Sequence, residues 1–142
     1  LIKVACEAAC GQRESVSIFG TDYDTTDGTC IRDYIHVEDL ASAHLQALDY
    51  LAAGGKSSIL NCGYGHGYSV REVLDTVRYV SQTDLVIRET ARRAGDPACL
   101  VSDNRAIRKV LGWQPRYNDL KLICSTALSW ERGGNRPGTK TG

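Results

Sequence analysis

Three short stretches of this chain concentrate groups that could do chemistry. The first is "NCGYGHGYSV", Asn61 to Val70, where Gly63, Gly65 and Gly67 stand between an apolar run and an amphipathic stretch. A dinucleotide cradle reads G-x-G-x-x-G between a strand and a helix, and its third glycine lets the helix pack close to the strand. Here that third place holds Tyr68, which would block the approach. Asp84 lies about the right distance on for a ribose contact, but it precedes its apparent strand instead of ending one. The stretch therefore reads as a tight strand-to-helix turn with positive φ at several glycines, not as a cofactor site.

The second stretch is "TCIRDYIHVEDL". Arg32 follows a polar loop and carries a planar fork suited to phosphate. On a strand, Arg32, Tyr34 and His36 share one face, and Asp33 and Ile35 the other. A structural ion pair or a solvated edge is the equal alternative. The third stretch is "RRAGDP", with Arg92, Arg93 and Asp96 in a Gly/Pro loop. An arginine for an anion beside an aspartate for sugar hydroxyls suits a nucleotide sugar, whereas compensating charges on a surface loop are the plainer reading. Two separate arginine loops in one neutral domain would suit a diphosphate. His44 on a helix reads as structural, His66 as solvated, and Cys30 as packing. No Ser/His/Asp or Cys/His order stands out, and no metal site is expected.

The elements that must position these groups follow from periodicity and punctuation. Leu1 to Ala9 reads as a helix closed by Gly11, and Val16 to Phe19 as a strand. "GTDYDTTDGT", Gly20 to Thr29, is a polar loop. Cys30 to Val37 alternates as a half-buried strand. A helix runs from Glu38, burying Leu40, Ala47, Leu48 and Leu51 and ending at Gly54-Gly55. Ser58 to Cys62 reads as a strand, and Ser69 with Glu72 forms a capping box for a helix burying Val70, Val73, Leu74 and Val77. Asp84 to Glu89 is a further strand, and "ARRAGDPACL" a loop. A short helix capped by Asp103 runs through Lys109 and stops at Gly112, and "DLKLICSTALSWER" is a last helix. Gly133 to Gly142 reads as a disordered tail. The order is mixed α/β, or α+β, without the strict alternation of a complete doubly wound sheet.

The 142 residues fit one ordinary domain, taken as residues 1–132 plus the tail 133–142, and can bury a core without staples. Hydrophobic and charged fractions of 42% and 24% are those of a soluble globular chain, and 17 basic residues balance 17 acidic ones. A neutral chain lacks the broad field that draws in phosphate backbones, so nucleic acid and membrane surfaces are set aside as partners. No apolar run is long enough to span a bilayer. Six cysteines scattered through apolar segments, without CxxC or Cys–His spacing, read as reduced core thiols of a cytoplasmic protein. The chain holds no Met and opens inside an apolar helical pattern, which reads as part of something longer.

The string "SIFGTDYDTTDGTCIRDYIHVEDLASAH" resembles the UDP-glucose 4-epimerases (UDP-galactose 4-epimerases) of the extended short-chain dehydrogenase superfamily. The likeness continues through "NCGYGHGYSVREVL", "RRAGDPACLVSD" and "LGWQPRY". The long loop before "IRDY" favours the 4-epimerase over related dehydratases and decarboxylases. The resemblance implies a family reaction in which NAD takes hydride from C4 of the hexose and returns it to the other face. It places the NAD-binding domain, with its Tyr-x-x-x-Lys pair, ahead of Leu1, so the chain is similar to the carboxy-terminal, substrate-binding portion and would hold no catalytic or cofactor-binding residue of its own.

For the UDP half the resemblance implies Ser17, Ile18 and Phe19 against the uridine, Arg32 and Arg93 on the diphosphate, and Asp96 on the ribose. Leu100 stands where some relatives have a tyrosine near the ligand. The implied partners are UDP-glucose or UDP-galactose and the missing amino-terminal domain, and a homodimer is admitted. Apolar surface bared by that domain would drive partial self-association. Two other readings stay open: a non-catalytic nucleotide-binding module, and part of a related nucleotide-sugar decarboxylase or epimerase.

Overall fold

The computed structural model describes residues 1–133, and the expected tail lies, after Gly133, outside the described residues. In chain order the elements are α1 (Ile2–Ala9), β1 (Val16–Phe19), β2 (Ile31–Arg32), α2 (Val37–Ala52), β3 (Tyr68–Ser69), α3 (Val70–Ser81), β4 (Ile87–Thr90), β5 (Cys99–Leu100), α4 (Arg105–Leu111) and α5 (Leu120–Gly133). The described strands form two small sheets. β1 pairs in parallel with β4, Val16 opposite Ile87 and Phe19 opposite Thr90. β2 lies between β3, its antiparallel neighbour, and β5, its parallel one. This is the mixed α/β arrangement expected, with helices carrying most of the packing.

The main core is a helical triangle of α1, α3 and α5 laid against β1. Cys6, Val73, Leu74, Val77, Cys124 and Leu128 interlock there with Val16 and Ile18. Burying aliphatic side chains of this size contributes about 1.5–3 kcal/mol each. α3 starts at the expected box: Ser69 Oγ accepts from the Glu72 amide (3.1 Å), and Glu72 Oε2 accepts from the Ser69 amide (2.7 Å). A smaller cluster around Trp113, fully buried, joins Ala43 of α2, Tyr64, Ile107 of α4 and Ile123 of α5. All six cysteines are free thiols; burial pushes Cys6 up to about 11 and Cys124 up to about 12, whereas Cys99 is exposed.

Several expectations from periodicity are corrected. The alternation from Cys30 to Val37 yields a strand of two residues, because only Ile31 and Arg32 find neighbours on both sides; α2 already begins at Val37. Ser58 to Cys62 forms no strand, and Ile59 is 98% exposed, since no described strand offers it an edge. The strand expected at Asp84 starts later, at Ile87, and Cys99–Leu100 adds a short strand inside the supposed loop. α4 runs two residues further than expected, to Leu111, and Asp103 Oδ1 accepts from the Arg105 amide at 3.1 Å.

α2 is rotated relative to the expectation. It buries Asp39 and Ala43, while Leu45, Leu48 and Leu51 are 65%, 64% and 51% exposed. The helix carries apolar residues on two sides, and the described residues cover only one. No helix among the described residues is long and apolar enough to cross a membrane.

The central packing of Leu74 yields a direct expectation. Leu74→Ala should lower stability by about 2–5 kcal/mol, read as a fall in the urea midpoint with little change in slope. An unchanged midpoint would show that the helical triangle is not the core.

Candidate functional site

A cavity of about 500 Å³ opens between the start of α1, β1, β2 and the loop that follows β4. From β1, Ser17 and Phe19, only partly covered, contribute to the lining together with the buried Val16. Ile18 is 1% exposed and belongs to the core, so its side chain is not brought to the cavity.

Arg32 enters from β2. Its Nη1 donates to the carbonyl oxygens of Ile31 (2.8 Å) and Pro97 (2.9 Å), and its Nη2 lies 3.5 Å from Asp96 Oδ1. Arg93 enters from the loop after β4, with its guanidinium carbon 3.6 Å above the centre of the Phe19 ring. Arg32, Arg93 and Asp96, widely separated in the chain, thus line one cavity.

Three further groups line the cavity, none of them among the expected contact residues. Tyr34 shares the Arg32 side of the chain, as alternation expected, and burial pushes its phenol up to about 12 against the opposing pull of Arg32. Cys30 is nearly buried in the wall. Arg13, ion-paired with Glu7, adds a third guanidinium at the edge. Nothing in the spacing around Arg13 marked it, because its approach depends on how α1 packs against β1.

The chemistry available here is recognition. Planar guanidinium groups present paired donors to phosphate oxygens, and a carboxylate beside them can accept from a vicinal diol. A second cavity, about 430 Å³, lies at Asp39, Ser42 and the segment Gly112–Tyr117. Glu38 also lines it, and the Asp39 carboxylate is already committed: it accepts from the Tyr64 hydroxyl (2.7 Å), the Arg116 amide (2.8 Å) and the Tyr117 amide (2.9 Å). The first cavity, where Arg32, Arg93 and Asp96 meet, is the candidate site. Among the described residues no group of three or more His, Cys, Asp or Glu is placed to hold a metal ion.

The remaining residues of the chemistry-bearing stretches have structural work. Asp33 closes the glycine loop: its carboxylate accepts from the amides of Tyr64 (2.9 Å) and Gly65 (3.0 Å) and from Ser102 Oγ (2.7 Å). Of the three loop glycines only Gly65 has a positive φ, +81°. Gly63 and Gly67 are needed for close approach instead, Gly63 to the side chains of Ser102 and Asp33, Gly67 to Ile31 and Val101. The expectation of several positive φ values is corrected to one.

His36 caps α2, its Nδ1 accepting from the Glu38 amide (3.1 Å) while Nε2 meets Thr126 Oγ1 (3.0 Å). That pattern assigns the ring proton to Nε2. His44 is exposed with Nδ1 2.8 Å from the Leu40 carbonyl oxygen, and His66 is exposed between Tyr64 and Tyr68. Leu100 is 60% exposed and is not in the cavity lining. A Tyr-x-x-x-Lys spacing does occur, at Tyr117 and Lys121, but Tyr117 stacks on His36 while the Lys121 ammonium lies 4.7 Å from the Tyr79 ring centre. The two do not converge.

The chain is similar to known proteins over most of its length. Residues 1–63 match the NAD dependent epimerase/dehydratase family. More particularly, the chain is 56% identical over 132 residues to the UDP-glucose 4-epimerase of Azospirillum brasilense, covering 93% of this chain and 38% of that protein. It superposes on the UDP-Glc/GlcNAc 4-epimerase of Campylobacter jejuni with a TM-score of 0.84 at 55% identity, over 92% of this chain and 40% of that one. A UDP-glucose-4-epimerase from Stenotrophomonas maltophila, solved with NAD and formylated UDP-arabinopyranose, superposes with a TM-score of 0.87 at 39% identity, over 93% and 39%. The chain spans about two fifths of the length of these relatives.

The Asp33 network can be tested apart from any ligand. Asp33→Ala leaves the Tyr64 and Gly65 amides without their carboxylate, at an expected cost of about 1.5–3 kcal/mol. Urea unfolding measures it, with faster amide exchange at those two residues. Unaltered stability and exchange would remove Asp33 as the closure of the loop.

Proposed function

We propose that this chain is the UDP-sugar-binding portion of a UDP-glucose 4-epimerase, corresponding to the carboxy-terminal part of such an enzyme. One observation carries the reading. Arg32 and Arg93, from segments far apart in the chain, line one cavity together with Asp96, Ser17 and Phe19. In this reading the two guanidinium groups neutralise the diphosphate, Asp96 accepts the ribose hydroxyls, and Ser17 and Phe19 face the uridine. Ile18 contributes through its backbone only, and Leu100 adds no contact. The similarity to 4-epimerases at 56% and 55% identity supports the choice of nucleotide sugar.

NAD is the cofactor of this reading, and the described residues do not fit it. The one glycine-rich loop that resembles a cradle is filled by this chain's own Asp33, Ser102 and Asn104. No hydride step is therefore assigned to these residues. Their contribution is binding energy on the remote UDP, which holds the hexose in place for chemistry done by groups elsewhere. The exposed face of α2, with Leu45, Leu48 and Leu51, supports a covering portion of the enzyme at that place.

Calorimetry with UDP tests the site. Arg32→Ala and Arg93→Ala should each weaken binding at least about tenfold, about 1.4 kcal/mol; unchanged binding in both removes the assignment. The chain alone, given UDP-galactose and NAD, should form no UDP-glucose. Clear turnover by a chain of verified mass would overturn the division of labour.

A further inference from the structure

Arg93 stands next to a second arginine that faces the other way. Arg92 Nε donates to Asp22 Oδ1 at 2.7 Å, its Nη2 donates to the Asp22 carbonyl oxygen, and its guanidinium carbon lies 4.1 Å from the centre of the Tyr23 ring. One side chain thereby grips a backbone carbonyl, a carboxylate and an aromatic face of the same short segment.

That segment is built to be gripped. Tyr23 is 6% exposed, and its amide donates to the Gly28 carbonyl oxygen at 2.9 Å. Thr25 Oγ1 donates to the Thr29 carbonyl oxygen (2.8 Å). Asp27 accepts from the Thr29 amide (2.9 Å), the Thr29 hydroxyl (2.7 Å) and the Ser69 hydroxyl at the start of α3. Gly20 has φ +84°, and a Cβ there would lie 2.6 Å from both Arg92 Cγ and a ring carbon of Tyr23. The Arg92 stem passes over that glycine with no room for a side chain. The polar loop 20–29, which carries no lining residue of the cavity before Cys30, is thus a rigid seat for Arg92.

What the seat holds is the stretch 91–98 between β4 and β5. Its far end is tied to Arg32 through the Pro97 carbonyl oxygen and Asp96. Its near end has the Arg92 grip and, one residue later, the stacking of Arg93 on Phe19. Arg93 is itself exposed. Its extended side chain loses rotamer freedom when held over the ring, and a fixed backbone lowers that cost.

We infer that Arg92 and Asp22 are positioning residues, which pin the start of the β4–β5 loop so that the neighbouring Arg93 keeps its guanidinium over Phe19 and in the cavity. This rests on the reading of that cavity as a diphosphate site. It also gives the long loop before Arg32 a role: it supplies the anchor for the second arginine.

The test has one arm that needs no ligand. Protons of Arg93 over the Phe19 ring are shifted upfield by the ring current. The signals are identified in the nuclear magnetic resonance spectrum of the whole chain by their loss in Arg93→Lys and their return to ordinary positions in Phe19→Leu. In Arg92→Gln and in Asp22→Asn the upfield shift should fall by more than half while the backbone amide spectrum remains that of a folded chain, and Arg92→Lys, able to keep the pair with Asp22, should retain more of it. Should Arg92→Gln fail to fold, the milder Asp22→Asn decides. Undiminished Arg93 shifts in a folded variant overturn the inference.

The second arm is calorimetry with UDP. Arg92→Gln should weaken binding about fivefold or more, yet cost little further in an Arg93→Ala background, because it acts through Arg93. An equal loss in both backgrounds would make Arg92 a direct contact and also overturn it. If the unaltered chain binds no UDP, the diphosphate reading fails, and the resonance arm still decides whether Arg92 positions Arg93.

Discussion

The structure turns on a strand of two residues. Ile31 and Arg32 pair with Tyr68–Ser69 on one side and with Cys99–Leu100 on the other. These few hydrogen bonds bring three distant segments together: the polar loop before β2, the glycine loop before β3 and the loop between β4 and β5. Arg32 completes the joint, since its guanidinium bonds Pro97 and faces Asp96 of the neighbouring loop. Asp33, the next residue, points the other way in function and closes the glycine loop by accepting from the amides of Tyr64, Gly65 and Ser102 and from the Ser102 hydroxyl. A pair of adjacent charged residues thus organises both sides of one short ladder.

Such a ladder is too short to stand alone. Its support comes from the apolar triangle of α1, α3 and α5, whose buried side chains supply the main driving force. The capping box at Ser69 couples the two, because one residue ends β3, caps α3 and donates its hydroxyl to Asp27 of the polar loop. The division between a helical core and a site made of loops is a common one, in which packing fixes the frame and polar side chains at its edge meet the ligand.

The candidate cavity is a place for recognition, with cations, a carboxylate and an aromatic face. The relatives of this chain are proteins about two and a half times as long as the matched span, and one of them was solved with NAD and formylated UDP-arabinopyranose. Leu45, Leu48 and Leu51 leave one apolar side of α2 uncovered among the described residues, whereas a helix with apolar residues on two sides is ordinarily buried on both. In the proposed reading, nucleotide contacts and hexose chemistry are separated, which works because binding energy acts wherever the ligand is rigid enough to transmit it.

The sequence by itself determined the local elements wherever the signal was local. Ser69 and Glu72 announce their helix because a cap involves residues three apart. Val73, Leu74 and Val77 announce its buried face because helical spacing repeats within two turns. Around "IRDY" and "RRAGD" the type and spacing of the groups left a structural ion pair or a surface loop open, and the resemblance to 4-epimerases singled out Arg32, Arg93 and Asp96. What only the tertiary structure decided was non-local. Ile31–Arg32 became a strand and Ser58–Cys62 did not, since a strand exists only where another chain segment offers its hydrogen bonds.

Likewise, α2 buried Asp39 in place of Leu48, because three donors from Tyr64, Arg116 and Tyr117 converge on that carboxylate and satisfy it inside. The convergence of Arg32 and Arg93, the committed pairing of Arg92 with Asp22, and the separation of Tyr117 from Lys121 belong to the same class. Each depends on distances through space between residues whose order along the chain carries no record of them.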